Sequence, residues 1–74
     1  MAKTLVLGTG TTVNWRLPAD SDASEITERL KVAMESGTVE RVTVEMNDDP
    51  LSRAELLVNG SVLACAAVVE TPEL

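Results

Sequence analysis

The chain has few side chains that could carry out catalysis. Cys65 is its only thiol, and the sequence has no histidine to activate a nucleophile or to bind a metal. Cys65 lies in an apolar run, residues 62–69, where burial would make a thiol unreactive. No serine lies in the Gly-x-Ser-x-Gly turn of hydrolases. We therefore predict that the chain has no catalytic residues and is not an enzyme.

Three short segments could in principle bind a cation or a phosphate. Residues 20–22 (Asp-Ser-Asp) are better explained as the start of a helix, and residues 47–49 (Asn-Asp-Asp) as a turn before Pro50. Neither continues into a calcium loop with its glycine and distal glutamate. Residues 8–12 (Gly-Thr-Gly-Thr-Thr) lack the lysine of a phosphate-binding loop and precede a strand. We expect no metal and no cofactor.

The charge of the chain argues against two classes of partner. Twelve acidic and six basic residues give a net charge of −6, and the basic residues are scattered along the sequence. Such a surface repels nucleic-acid phosphates and anionic lipids, and no run of 18 apolar residues could span a membrane. With one cysteine and no export signal, we expect a cytoplasmic protein that binds neither nucleic acid nor membranes.

Hydrophobic periodicity predicts a hairpin and then a helix. Residues 4–8 and 11–17 read as two strands joined by a glycine-containing turn, and Val13, Trp15 and Leu17 share one face. Trp15, the only aromatic residue, belongs to the core if this face meets the helix and is a binding hot spot if the strand is flipped; we favour the core. The helix is predicted over residues 23–36, with Asp22 as its N-cap and Gly37 as its C-cap. Its apolar stripe contains Ile26, Leu30, Ala33 and Met34.

Three further strands are predicted over residues 39–46, 53–58 and 61–70. Asn59 and Gly60 are typical of a two-residue type I′ hairpin, so the last two strands are expected to pair with each other. The order is therefore β-β-α-β-β-β, an α+β fold with one helix on one face of a mainly antiparallel five-stranded sheet. Residues 1–74 form one domain, with residues 71–74 as a short tail.

The first half of this layout is similar to the opening of ubiquitin-like β-grasp modules. The resemblance covers about 37 residues: a hairpin, the segment Leu17-Pro18-Ala19-Asp20, and a capped helix. The second half departs from it, because three strands follow one another and the sequence ends Pro72-Glu73-Leu74 instead of Gly-Gly. The resemblance therefore does not imply modifier or sulfur-carrier activity.

The last strand is apolar on both faces, although a single helix can cover only one. The predicted hairpin register assigns Ala54, Leu56, Val58, Leu63, Cys65, Ala67 and Val69 to the helix side. Arg53 and Glu55 lie on the other side, together with the residues predicted to form an interaction surface. These residues are Leu57, Val62, Ala64, Ala66 and Val68.

Two explanations of this apolar face are possible. Small alanines tolerate exposure, or the face is buried against another chain. We favour the second and predict a small acidic interaction module that self-associates or forms a subunit of a larger assembly. An acidic regulator or inhibitor of a basic protein is the alternative. A small ligand-binding protein or enzyme is disfavoured, because the chain is short and has no histidine.

Overall fold

A computed structural model describes residues 2–46 and 49–71 of the chain. The strands β1, β2 and β3 span Ala2–Gly8, Thr12–Arg16 and Val39–Met46, and β4 and β5 span Asp49–Asn59 and Cys65–Thr71. The helix α1 spans Ala23–Ser36, and a 3₁₀ turn, Gly60–Val62, follows β4. The strands form one open antiparallel sheet in the order β4-β3-β2-β1-β5, and α1 packs on one face. This confirms the predicted α+β fold.

The first hairpin has the predicted faces. Leu5 lies opposite Trp15 and Leu7 opposite Val13, so these side chains share the face that α1 covers. Leu5 and Leu7 are buried, and Trp15 packs against the core as predicted. Val13 remains 41% exposed, because it is only one residue pair from the turn at the end of the hairpin.

The helix begins and ends where its capping residues predict. The Asp22 carboxylate accepts a hydrogen bond of 3.1 Å from the backbone N–H of Glu25. Gly37 adopts the left-handed conformation, with φ at 68°, and its N–H donates to the Ala33 carbonyl. The buried stripe of α1 contains Ile26, Leu30 and Ala33. No helix in the described parts of the chain is long and apolar enough to cross a membrane.

The β3–β4 hairpin confirms one predicted strand and lengthens the other. Val42 and Val44 of β3 are buried, whereas β4 begins at Asp49 and not at Arg53. A bulge allows this extension: Glu45 pairs with Arg53, but Met46 pairs with Asp49. Pro50 therefore lies inside β4. Asn47 and Asp48 of the predicted turn lie outside the described residues.

The predicted Asn-Gly hairpin is wrong. The Asn59 side chain accepts a 3.1 Å hydrogen bond from the N–H of Ser61 and caps the 3₁₀ turn. Gly60 donates its N–H to the Thr38 carbonyl at 2.9 Å and packs directly on the backbone of Ala33. Because Gly60 has no side chain, its backbone can pack closely against the last turn of α1. The chain crosses the end of the helix here, and β5 pairs with β1 at the other edge of the sheet.

This crossing reverses the predicted faces of the last strand. Leu5 lies opposite Val68 and Leu7 opposite Ala66, so Ala66 and Val68 face the helix. The residues predicted to be buried there point to the open face, which is the sheet face that α1 does not cover. These residues are Cys65, Ala67 and Val69. The strand also begins at Cys65 instead of Ser61, because residues 60–62 form the 3₁₀ turn.

Candidate interaction surface

The five residues predicted to form an interaction surface do not share one face. Leu57 lies on the open face of β4 and is 64% exposed. Val62 is exposed in the 3₁₀ turn, and Ala64 is exposed just before β5. Ala66 and Val68 are half-buried on the helix side of β5. Since β4 and β5 form opposite edges of the sheet, Leu57 cannot belong to the same contact surface as Val68.

The two edges of the sheet differ in how well they are protected against pairing with another strand. β4 carries the exposed charges of Asp49, Arg53 and Glu55, and it contains Pro50 within a bulge. Charges, prolines and bulges are the features that prevent edge strands from associating. β5 has the sequence Cys-Ala-Ala-Val-Val-Glu-Thr, in which Glu70 is the only charged residue. The unprotected edge is therefore β5.

The backbone of β5 is available along its whole length. Every residue of the strand pairs with β1, from Cys65 opposite Gly8 to Thr71 opposite Ala2. In an antiparallel strand, alternate N–H and C=O groups point to the two sides. Half of these groups therefore point away from β1, and within residues 2–46 and 49–71 no strand pairs with them. This row of donors and acceptors is what an added strand needs.

A groove runs between α1 and β5 beside this edge. One part of it has a volume of about 470 Å³, and Leu30, Met34 and Ala66 contribute apolar surface to its lining. A second hollow of about 500 Å³ continues towards the start of α1, between Thr27 and Val68. Ala66 and Val68 are too small to fill the space below the helix. We call the two hollows together the α1–β5 groove.

Charged residues are distributed unevenly along the α1–β5 groove. Lys31 and Glu35 line the end near Ala66. Glu28 and Glu70 line the other end, near Val68. Two carboxylates therefore line the hollow at one end, whereas Lys31 and Glu35 place one cation and one carboxylate at the other. The end lined by Glu28 and Glu70 is therefore the more acidic one.

The side chains considered for catalysis and metal binding do not form a site in the described structure. Cys65 is exposed, not buried as predicted, and its sulfur lies above Gly8, where a Cβ would clash with it. Asp22 caps α1, and Asp20 lies 4.0 Å from Arg53. The segment after Gly8 is a hairpin turn, closed by a hydrogen bond from Thr9 to Thr11. Among the described residues, no three His, Cys, Asp or Glu side chains could jointly hold a metal ion.

Sequence reasoning missed both the free edge of β5 and the groove beside it. The apolar character of residues 62–69 was the available signal, and it predicted a surface buried against another chain without locating β5 at the edge of the sheet. Only the crossing at Gly60 shows that β5 is an edge strand.

No protein-family model matches the chain, and no curated protein and no solved structure matches it either.

Proposed function

We propose that this chain is a small non-catalytic protein-interaction module that self-associates by extending its sheet along β5. The observation that supports this most directly is the contrast between the two sheet edges. β4 carries three exposed charges and Pro50, whereas β5 offers a seven-residue edge with Glu70 as its only charge. An apolar edge of this kind pairs readily with another strand.

The small core gives a further reason for association. A domain of 74 residues buries a limited fraction of its surface, so its intrinsic stability is low. Sheet extension would bury the exposed parts of Ala67 and Val69 and add backbone hydrogen bonds. The single exposed thiol of Cys65 suits a reducing compartment, and the proposal places the chain in the cytoplasm.

Sedimentation velocity of matched lysine variants tests this proposal. Ala67→Lys/Val69→Lys adds two positive charges to the exposed open face of β5. We expect this variant to dissociate into monomers, because an antiparallel copy would bring these lysines opposite one another. The control is Val39→Lys/Leu57→Lys, which makes the same change at exposed positions of β3 and β4 and should associate like the wild type.

Two results would overturn self-association through β5. One is a wild-type chain that sediments as a monomer up to about 1 mM, since association weaker than that has no role at cellular concentrations. The other is a control variant that dissociates as completely as the β5 variant, which would place the contact elsewhere on the sheet.

An acidic regulator of a basic protein is the second candidate function, supported by the charges at one end of the groove. Glu28 and Glu70 line the same hollow and would attract a lysine or arginine side chain. Such binding weakens strongly with salt, whereas apolar sheet extension depends much less on salt. Titration with a lysine-rich peptide at low and high salt, read out by tryptophan fluorescence of Trp15, separates the two functions.

A further inference from the structure

We propose that the occupant of the β5 edge is a second copy of this chain, bound antiparallel about a two-fold axis at Val68. The resulting dimer would have one continuous sheet of ten strands, formed from two five-stranded sheets, with both helices on the same face. This inference rests on the proposed function and adds the arrangement and the number of subunits.

The sequence of β5 is compatible with itself in this register. An axis at Val68 places Val68 opposite its own copy, and Ala67 opposite the partner's Val69. Ala66 then lies opposite the partner's Glu70, and Cys65 opposite the partner's Thr71. Each pair combines residues from the same sheet face, as antiparallel pairing requires. No two like charges oppose each other across the new strand pair.

The charges of the α1–β5 groove select this register. Lys31 lines the groove together with Ala66, and the partner's Glu70 would lie opposite Ala66. In the dimer, each Glu70 would therefore lie in the part of the partner's groove that contains Lys31 as well as Glu35, and the two-fold axis forms this contact twice. The other part of the groove is lined by Glu28 and Glu70 without a lysine or arginine. In the single chain, Glu70 shares its hollow with Glu28, so the partner's Lys31 also relieves a repulsion between like charges.

Neighbouring registers lack this complementarity. An axis at Val69 would put the partner's Glu70 opposite Val68, in the hollow that already contains Glu28. An axis at Ala67 would put it opposite Ala64, which precedes the strand. An axis at Val68 is therefore the register in which both the apolar contacts and the opposite charges are favourable.

This arrangement also limits assembly to two copies. The two-fold axis uses the β5 edge of each chain and leaves β4 at both ends of the ten-stranded sheet. Because β4 carries Asp49, Arg53, Glu55 and a proline, it resists further strand addition. The expected product is a closed dimer and not a fibre.

A charge exchange between Lys31 and Glu70 tests the register. Lys31→Glu places two carboxylates together at each new contact, and Glu70→Lys places two ammonium groups together. We expect each variant to weaken dimerisation by about tenfold or more in sedimentation equilibrium, because like charges are opposed at two symmetric positions. Arg41→Glu is the control, since Arg41 is exposed on β3 outside the groove and its reversal should leave the dimer unchanged.

The decisive measurement is an equimolar mixture of the two weakened variants. In a mixed dimer, both contacts combine opposite charges, so the mixture should dimerise with an affinity close to that of the wild type. A merely structural role of either residue would not produce this recovery. The double variant Lys31→Glu/Glu70→Lys should likewise form a homodimer.

The outcomes separate this inference from the proposed function. If the mixture stays monomeric while wild type associates and Ala67→Lys/Val69→Lys does not, the Val68 register is wrong but association through β5 stands. If wild type itself stays monomeric, both are overturned. Wild-type species larger than a dimer would contradict the closed arrangement.

Discussion

At the residue scale, Gly60 carries the contact that redirects the chain after β4. A Cβ at this position would overlap the carbonyl group of Ala33 and approach the nitrogen of Met34 to 2.8 Å. Both are helix backbone atoms and cannot move aside as a flexible side chain could. The position therefore requires glycine because there is no space for a side chain. The sequence Asn59-Gly60 instead predicted a hairpin turn.

Gly60→Ala should accordingly destabilise the fold by about 3 kcal/mol, the upper range for overpacking in a rigid surrounding. Urea denaturation followed by circular dichroism measures this loss. Gly10→Ala is the control, because Gly10 has φ at 107° and nothing lies within 4 Å of an added Cβ. It should cost only the backbone strain, about 1 kcal/mol. Equal losses in the two variants would contradict the packing role of Gly60.

At the scale of elements, β2 and β3 have the shortest pairing in the described part of the sheet. Within residues 2–46 and 49–71, their pairing consists of Arg16 opposite Glu45, whereas β3 and β4 pair along most of their length. Glu45 is 8% exposed, and its carboxylate lies 3.3 Å from Nε of Arg16. This ion pair joins the two parts of the sheet, β4–β3 and β2–β1–β5, which also share the hydrophobic core under α1.

Arg16→Met should destabilise the protein by about 1–2 kcal/mol, because it leaves a buried carboxylate without its partner while the arginine itself was half exposed. Arg16→Met/Glu45→Met should recover much of the loss, since neither side chain then needs a partner. A double-mutant cycle with Glu45→Met, measured by urea denaturation, gives the coupling. Additive effects of the two single substitutions would show that the pair contributes nothing.

Most elements are predictable because their signals are local. The alternation of Val42 and Val44 with polar neighbours locates β3 to the residue, and Asp22 and Gly37 give the limits of α1. The pairing of β5 has no such signal. Asn59 and Gly60 suit a two-residue turn, but a contact with α1, about 27 residues earlier in the chain, determines their conformation.

At the scale of the whole molecule, dimerisation should make thermal stability depend on concentration. A partner that binds only the folded chain shifts the equilibrium by mass action. We expect Tm to rise by about 5 °C between about 5 and 500 µM protein, given the small unfolding entropy of a domain of this size. Thermal unfolding followed by circular dichroism at several concentrations measures the shift.

The variant Ala67→Lys/Val69→Lys provides the comparison for this measurement. It should unfold at one temperature at all concentrations, because it lacks the association. A wild-type Tm that is independent of concentration would argue against a dimer in this range. A variant Tm that rises as steeply as that of the wild type would show that the association does not use β5.

The sequence by itself determined the number, type and order of the elements, together with the buried faces of the hairpin, α1 and β3. These properties follow from periodicity and capping, which act over a few residues. Only the tertiary structure decided which strands are neighbours, which face of β5 is covered, and that β5 is an edge. The physical reason is that Ala66 and Cys65 both lie in an uninterrupted apolar run, so the pattern is the same in either orientation. The contact of Gly60 with α1 determines which of the two orientations β5 adopts.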